Sequence, residues 1–155
     1  MTRLKQFPVR IAPHQKRDLR TQFGALCYRV RKDKVEVLLI TTRGRGNWII
    51  PRGWPIEDAT PTEAAEREAW EEAGVEGQAM PECVGLYSYT KEQDDGEQLP
   101  CMVAVFPVKV KKLRDEFPEA GQRRRKWVSL KKAAEIVENA ELARIIRAFV
   151  PGKGA

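Results

Sequence analysis

The chain has 155 residues, 42% of them hydrophobic, and its 28 Lys plus Arg against 22 Asp plus Glu give a formal charge of +6. That length suits one globular domain with a sizeable core, and the basic balance favours an anionic partner: nucleotide, polyphosphate, nucleic acid or an acidic surface. No run of 18 or more apolar residues and no apolar secretory core point to a membrane or to export, and three scattered cysteines with one histidine, His14, exclude a disulfide framework, a zinc centre or histidine-based catalysis, leaving acid–base work to carboxylates.

Residues 1–19 are basic, contain Pro8 and Pro13 and lack a hydrophobic period, so a poorly packed arm is expected there, with the domain over 20–149 and a short tail over 150–155. Apolar, β-forming stretches at 22–30 and 35–42 flank the polar Arg31-Lys32-Asp33-Lys34 and predict a hairpin. A short strand follows at 47–50. The intervening segment carries Arg43, Arg45 and Arg52 among glycines. Arginine holds phosphate through parallel charge-assisted hydrogen bonds, and glycine lets the backbone come close, so these three are the phosphate-contact candidates. The competing reading of each is ordinary surface charge at a turn. Trp48 has apolar neighbours and is assigned to the core; Trp54 is left open between packing and contact with a ligand.

Thr60 is placed to cap a helix, Pro61 to open it, Glu63 to complete a Thr-x-x-Glu capping box and Gly74 to end it, which predicts a helix over 61–73. On that helix Glu68, Glu71 and Glu72 fall within one arc of about 100°, opposite Ala65, Ala69, Ala73 and Trp70, with Arg67 beside Glu71 as the local counter-charge. Like charges at that spacing repel, and a divalent cation would relieve them. Spacing alone leaves two readings open, a Mg²⁺ platform for phosphate chemistry and a solvated acidic face.

Two further strands are predicted at 83–90 and 101–110, around a polar loop at 91–100 from which an extra carboxylate could reach a site. A short strand at 126–129, a helix capped by Ser129 over 130–138 and a last helix from about 140 to 149 complete the pattern. Cys27, Cys83 and Cys101 lie in strand-like runs and read as buried thiols of a reducing cytoplasm. The run Arg123-Arg124-Arg125-Lys126 is expected to face solvent, with contact to a polyphosphate tail or to nucleic acid as alternatives. No RNA-binding signature accompanies it, so nucleic acid is not the favoured partner.

The segment from Gly53 to Val75 resembles the Nudix box, Gly-x5-Glu-x7-Arg-Glu-U-x-Glu-Glu-x-Gly-U with U apolar, through Gly53, Arg67, Glu68, Ala69, Glu71, Glu72, Gly74 and Val75. Ala59 stands where the box has its first Glu, with Glu57 and Asp58 beside it. The resemblance implies an α/β/α sandwich with a mixed sheet, the box forming a loop–helix–loop at one end. It implies hydrolysis of a phosphoanhydride in a phosphorylated small molecule, with Mg²⁺ or Mn²⁺ as cofactor. Glu71 and Glu72 would be metal ligands, Glu68 a ligand or the general base, the Gly53 carbonyl a further ligand, and Arg67 a residue that orients the carboxylates. Outside the box, Cys27-Tyr28-Arg29, Val37-Leu38-Leu39-Ile40, Trp48-Ile49-Ile50-Pro51 and Arg125-Lys126-Trp127 are similar to the branch that acts on diphosphoinositol polyphosphates and diadenosine polyphosphates. Two alternatives remain beside that one: a catalytically silent module that senses a nucleotide or polyphosphate, and an RNA 5′-pyrophosphohydrolase.

Overall fold

In the computed structural model, residues 6–8 and 20–152 are described. His14 and most of the arm lie outside them. Among the described residues, eight strands and three helices follow in the order β1 (Thr21–Arg31), β2 (Lys34–Thr41), β3 (Trp48–Ile49), β4 (Arg52–Gly53), α1 (Pro61–Ala73), β5 (Val75–Ala79), β6 (Gly85–Glu92), β7 (Gln98–Leu113), β8 (Arg125–Ser129), α2 (Leu130–Ile136) and α3 (Ala140–Ala148).

The sheet is mixed. β1 runs parallel to β7, from Thr21↔Met102 to Tyr28↔Lys109, and antiparallel to β2, from Arg31↔Lys34 to Tyr28↔Val37. Alternate residues of the central strands go to opposite faces. Leu26, Val37, Leu39, Val103 and Val105 join a core with α2 and α3, while Ala25, Cys27, Leu38, Ile40 and Phe106 pack with α1. Burial on both faces is why these strands read as continuous apolar runs, and it makes the α/β/α sandwich expected from the sequence.

Beyond Tyr28↔Val37 the sheet divides. β2 turns to β3 at Ile40↔Ile49 and Thr41↔Trp48, while the first part of β1 takes β4 at Phe23↔Gly53 and Gly24↔Arg52. The chain between β2 and α1 is held in this division, and it carries the predicted arginines.

Helix α1 has the predicted bounds and caps. Thr60 Oγ1 accepts from the Glu63 N–H at 3.2 Å, Glu63 Oε1 accepts from the Thr60 N–H at 2.8 Å, and Gly74 closes the helix at φ 70°. Hydrogen bonding to the Thr60 backbone N–H, and then to the Thr60 side chain, holds the Glu63 carboxyl below its ordinary range. Ala64, Ala65, Ala69 and Ala73 are all buried, so the helix backbone lies close against the sheet. Gln6 reaches its first turn, accepting from the Thr62 N–H at 3.1 Å and donating to the Pro81 carbonyl at 2.8 Å.

Several local expectations change. β4 and β5 were not anticipated; β5, with the sequence Val-Glu-Gly-Gln-Ala, has little strand character of its own and forms because the long β7 supplies a partner. The polar loop at 91–100 is shorter than expected, since β6 and β7 pair out to Glu92↔Gln98 and leave a tight turn closed by Gln93 and Glu97. Cys27 and Cys101 are buried, but Cys83 is exposed, because it precedes β6 instead of lying inside it. No helix among the described residues is long and apolar enough to cross a membrane.

Candidate active site

A cleft of about 1010 Å³ opens where the sheet divides. One wall is acidic, formed by Glu68 and Glu72 of α1 with Glu119 from the loop between β7 and β8. Arg43, Arg45, Arg52 and Arg123 line the same cleft.

The close approach of α1 to β4 sets the acidic wall. Glu72 is buried, and its Oε1 accepts from the Arg52 backbone N–H at 3.3 Å. Glu68 lies directly against Gly53, where a Cβ would collide with all three atoms of the carboxyl group. Only glycine leaves the room that Glu68 occupies. Burial, the neighbouring Glu72 charge and a hydrogen bond between the two carboxyls push Glu68 up to about 8. Glu72 is also raised by burial, against the opposing pull of Arg123. The pair therefore retains a proton at neutral pH, a state a cation would replace.

Of the three carboxylates placed on one helical face, the structure brings Glu68 and Glu72 together in the cleft. Glu71 is not among the cleft-lining residues; its carboxylate stands 3.8 Å from Arg67 across one helical turn, with Arg67 largely exposed. Arg43 lines the cleft and donates to Gln122 Oε1 at 3.1 Å, and Arg45 lines it as well. Arg52 does so from β4, its Nη1 donating to the Tyr87 hydroxyl at 3.3 Å. Neither Glu57 nor Asp58, the neighbours of Ala59, lines the cleft. From the end of β6, Lys91 and Glu92 reach it, and the two aspartates of the turn do not.

The arginine run behaves as a strand entrance, not as a solvated patch. Arg123 has only 10% of its side chain exposed; its Nε donates to Glu119 at 3.4 Å and its Nη1 to the Thr41 carbonyl at 3.1 Å. Arg125 turns inward too, donating to the Ala73 carbonyl at the end of α1 and to Asp115. Arg124 and Lys126 alternate outward. Period-2 alternation explains this split, and four consecutive cations conceal it in the sequence. Glu119, Gln22, Tyr87 and Tyr89 were missed. Glu119 sits in a polar loop, and the other three sit in strands whose side chains carry no motif.

Trp48 is half-buried against the core beneath Arg124, yet also borders the cleft, while Trp54 is 40% exposed at its lip with Lys91 Nζ 5.4 Å from the ring centroid.

Among the described residues no three carboxylate, imidazole or thiol side chains converge as a ready metal-binding group. Two hard carboxylates nonetheless fit Mg²⁺, which uses one or two protein carboxylates and fills its shell with water and substrate phosphate.

The raised Glu68 pKa has a consequence for stability. A carboxyl that holds its proton more tightly when folded contributes stability that is complete below its ordinary value of 4.5 and is lost as pH rises through the folded value near 8. The Tm of EDTA-treated protein is expected to fall across that window more steeply than that of Glu68→Gln, and Mg²⁺ to restore it at the alkaline end. Parallel Tm–pH profiles of the two proteins would contradict the assignment.

On a capped helix, the buried Glu72 and the half-buried Glu68 share one cleft of a sandwich fold with four guanidinium groups. Residues 20–149 match the NUDIX domain, and the chain belongs to the Nudix family. It is 35% identical over 139 residues to Nudix hydrolase 21, chloroplastic, of Arabidopsis thaliana, an alignment covering 84% of this chain and 66% of the relative. The chain thus spans slightly less than two thirds of that relative's length. It is 25% identical over 117 residues to diphosphoinositol polyphosphate phosphohydrolase 3-alpha of Mus musculus, covering 74% of this chain and 67% of the relative. The crystal structure of C. elegans Ap4A hydrolase shares the fold, with a TM-score of 0.60 at 21% identity over 83% of this chain and 94% of that one.

Proposed function

We propose that the chain is a divalent-cation-dependent hydrolase of phosphoanhydride bonds in highly phosphorylated small molecules, of the diadenosine polyphosphate or diphosphoinositol polyphosphate kind. The observation that carries this reading is the meeting of the Glu68–Glu72 pair with four cleft-lining arginines. The acidic pair suits a cation, and the arginines suit a chain of phosphates too highly charged for one contact to hold.

Glu68 and Glu72, with the Gly53 carbonyl, would hold Mg²⁺ or Mn²⁺, and Glu71 is the third ligand proposed from the box. When bound, the cation supplies charge neutralisation at phosphorus and a more acidic water. Arg52, Arg43 and Arg45 bind and orient the phosphates. Arg123 opposes the upward shift of Glu72 and so favours its ionised form. Glu68 is suited to a second task, because a carboxyl titrating near neutral pH can take the proton of an attacking water. Arg67 keeps Glu71 oriented along the helix. Three free thiols fit a reducing compartment such as the cytoplasm.

The direct test is phosphate release in Mg²⁺ against an EDTA control, across diadenosine polyphosphates, diphosphoinositol phosphates, nucleotide sugars and 5′-triphosphorylated RNA. Release is expected from the first two classes only, and only with the cation. Binding without release would instead support a silent sensing module, the reading favoured by Ala59 and by the absence of Glu57 and Asp58 from the cleft.

A further inference from the structure

Arg52 does not stand in the cleft as a loose surface cation. Its Cζ lies 3.6 Å from the centroid of the Tyr89 ring, and its Nη1 donates to the hydroxyl of Tyr87 two residues earlier on β6. Tyr87 is buried. The Tyr89 hydroxyl in turn donates to Gln22 Oε1 at 2.7 Å, and Gln22, on the first turnless stretch of β1, is only 2% exposed. β4 is therefore linked through side chains from Arg52 to two tyrosines of β6, and through Tyr89 back to β1. Gln22, Arg52 and Tyr89 all border the cleft, whereas Tyr87 lies behind it.

A buried glutamine in a central strand needs a partner, and Tyr89 supplies it. The ring is thereby fixed at its hydroxyl end. A guanidinium stacked on a fixed ring loses its rotational freedom before a ligand arrives, so less ordering remains to be done on binding. With Nη1 engaged by Tyr87, the donors left to a phosphate lie on the other part of the guanidinium fork. The same stack covers a face of Tyr89 that a nucleobase would otherwise use.

We propose that Tyr89, anchored by Gln22, is a positioning residue for Arg52: its ring fixes the guanidinium plane for a substrate phosphate and is not a platform for a base. The inference rests on the phosphoanhydride reading of the cleft for its substrate class, but its binding test does not require turnover.

The test measures affinity of the full chain for two probes, inorganic tripolyphosphate, which has no base, and diadenosine tetraphosphate. Tyr89→Leu is expected to weaken both by the same factor, about 5- to 10-fold, the equivalent of re-ordering one long side chain. Tyr89→Phe, which keeps the ring, should stay within about 3-fold of wild type. Gln22→Leu removes the anchor without touching the ring or Arg52 and should produce a smaller, equally probe-independent loss, which keeps the proposal testable if Tyr89→Leu folds poorly. In a double-mutant cycle, Tyr89→Leu should add nothing to Arg52→Ala.

Loss confined to the adenine-bearing probe would overturn the proposal, as would equal losses for Phe and Leu at position 89 or additivity with Arg52→Ala. Failure of the wild type to bind tripolyphosphate would overturn it too. Tight binding by the wild type without any phosphate release would overturn the hydrolase reading alone and leave the positioning result standing.

Discussion

Glu72→Gln is expected to lower metal-dependent phosphate release by more than about 100-fold, above the 10–100-fold usual for a residue that only supports a metal ligand. The substitution is close to isosteric, and a glutamine oxygen can still accept from the Arg52 N–H, so the fold around the end of α1 should persist. What disappears is the charge. Arg123, almost buried beside it, loses one of the two carboxylates it opposes and keeps only Glu119. Glu68 loses the strongest charge that pushes it up, so its pKa should move back toward the ordinary carboxylate range. Three measurements separate these effects: phosphate release at saturating Mg²⁺, Mn²⁺ affinity by calorimetry, and Tm without metal. Turnover and Mn²⁺ affinity should fall together while Tm holds, because the substitution removes a carboxylate whose charge burial disfavours. Wild-type turnover by this variant on every phosphoanhydride substrate would remove Glu72 from the site.

The parts of this site legible in the sequence are those written in local code. Thr60, Pro61, Glu63 and Gly74 specify α1 through capping chemistry that acts within four residues, and the helix forms with the bounds those residues dictate. The sandwich was expected from the resemblance of the box, and the continuous apolar runs at β1 and β2, with no polar face to expose, agree with it. Helical spacing correctly grouped Glu68 with Glu72. It could not separate Glu71, about 60° from Glu68 and about 100° from Glu72 around the axis, because such differences are resolved only by where β4 touches the helix. The residues missed all depend on contacts distant in the chain. Glu119 joins the acidic wall because Arg123 and Thr41 hold its loop on the end of β2. Tyr89 meets Arg52 only because β6 and β4 both approach β1, through β7 in one case and directly in the other. Nothing in the 36 positions between them announces that meeting.

Gly53→Ala should be the most selective lesion in the molecule, destroying the proposed metal site with little harm to the fold. The added Cβ would occupy the place of the Glu68 carboxyl, and nothing else of the protein stands nearer to it. Since that obstacle is the end of a flexible side chain, Glu68 can swing aside, and the stability change should fall well short of the roughly 1–3 kcal/mol of an overpacked core. Swinging aside separates Glu68 from Glu72, so phosphate release should fall on the order of 100-fold and Mn²⁺ affinity should fall with it. A further signature follows from the same displacement. Freed from burial and from Glu72, Glu68 titrates nearer its ordinary value, and the metal-free Tm loses the extra decline expected as pH rises toward 8. Gly74→Ala is the informative contrast. There the backbone sits at φ 70° and the new Cβ would press on the Arg114 carbonyl and the Phe117 ring, obstacles that cannot swing away as a carboxyl can, so stability should drop before metal affinity does. If Gly53→Ala instead unfolds the protein like Gly74→Ala, glycine at 53 serves the packing of β4. If it leaves Mn²⁺ affinity intact, the Glu68 carboxyl is not what the cation would meet.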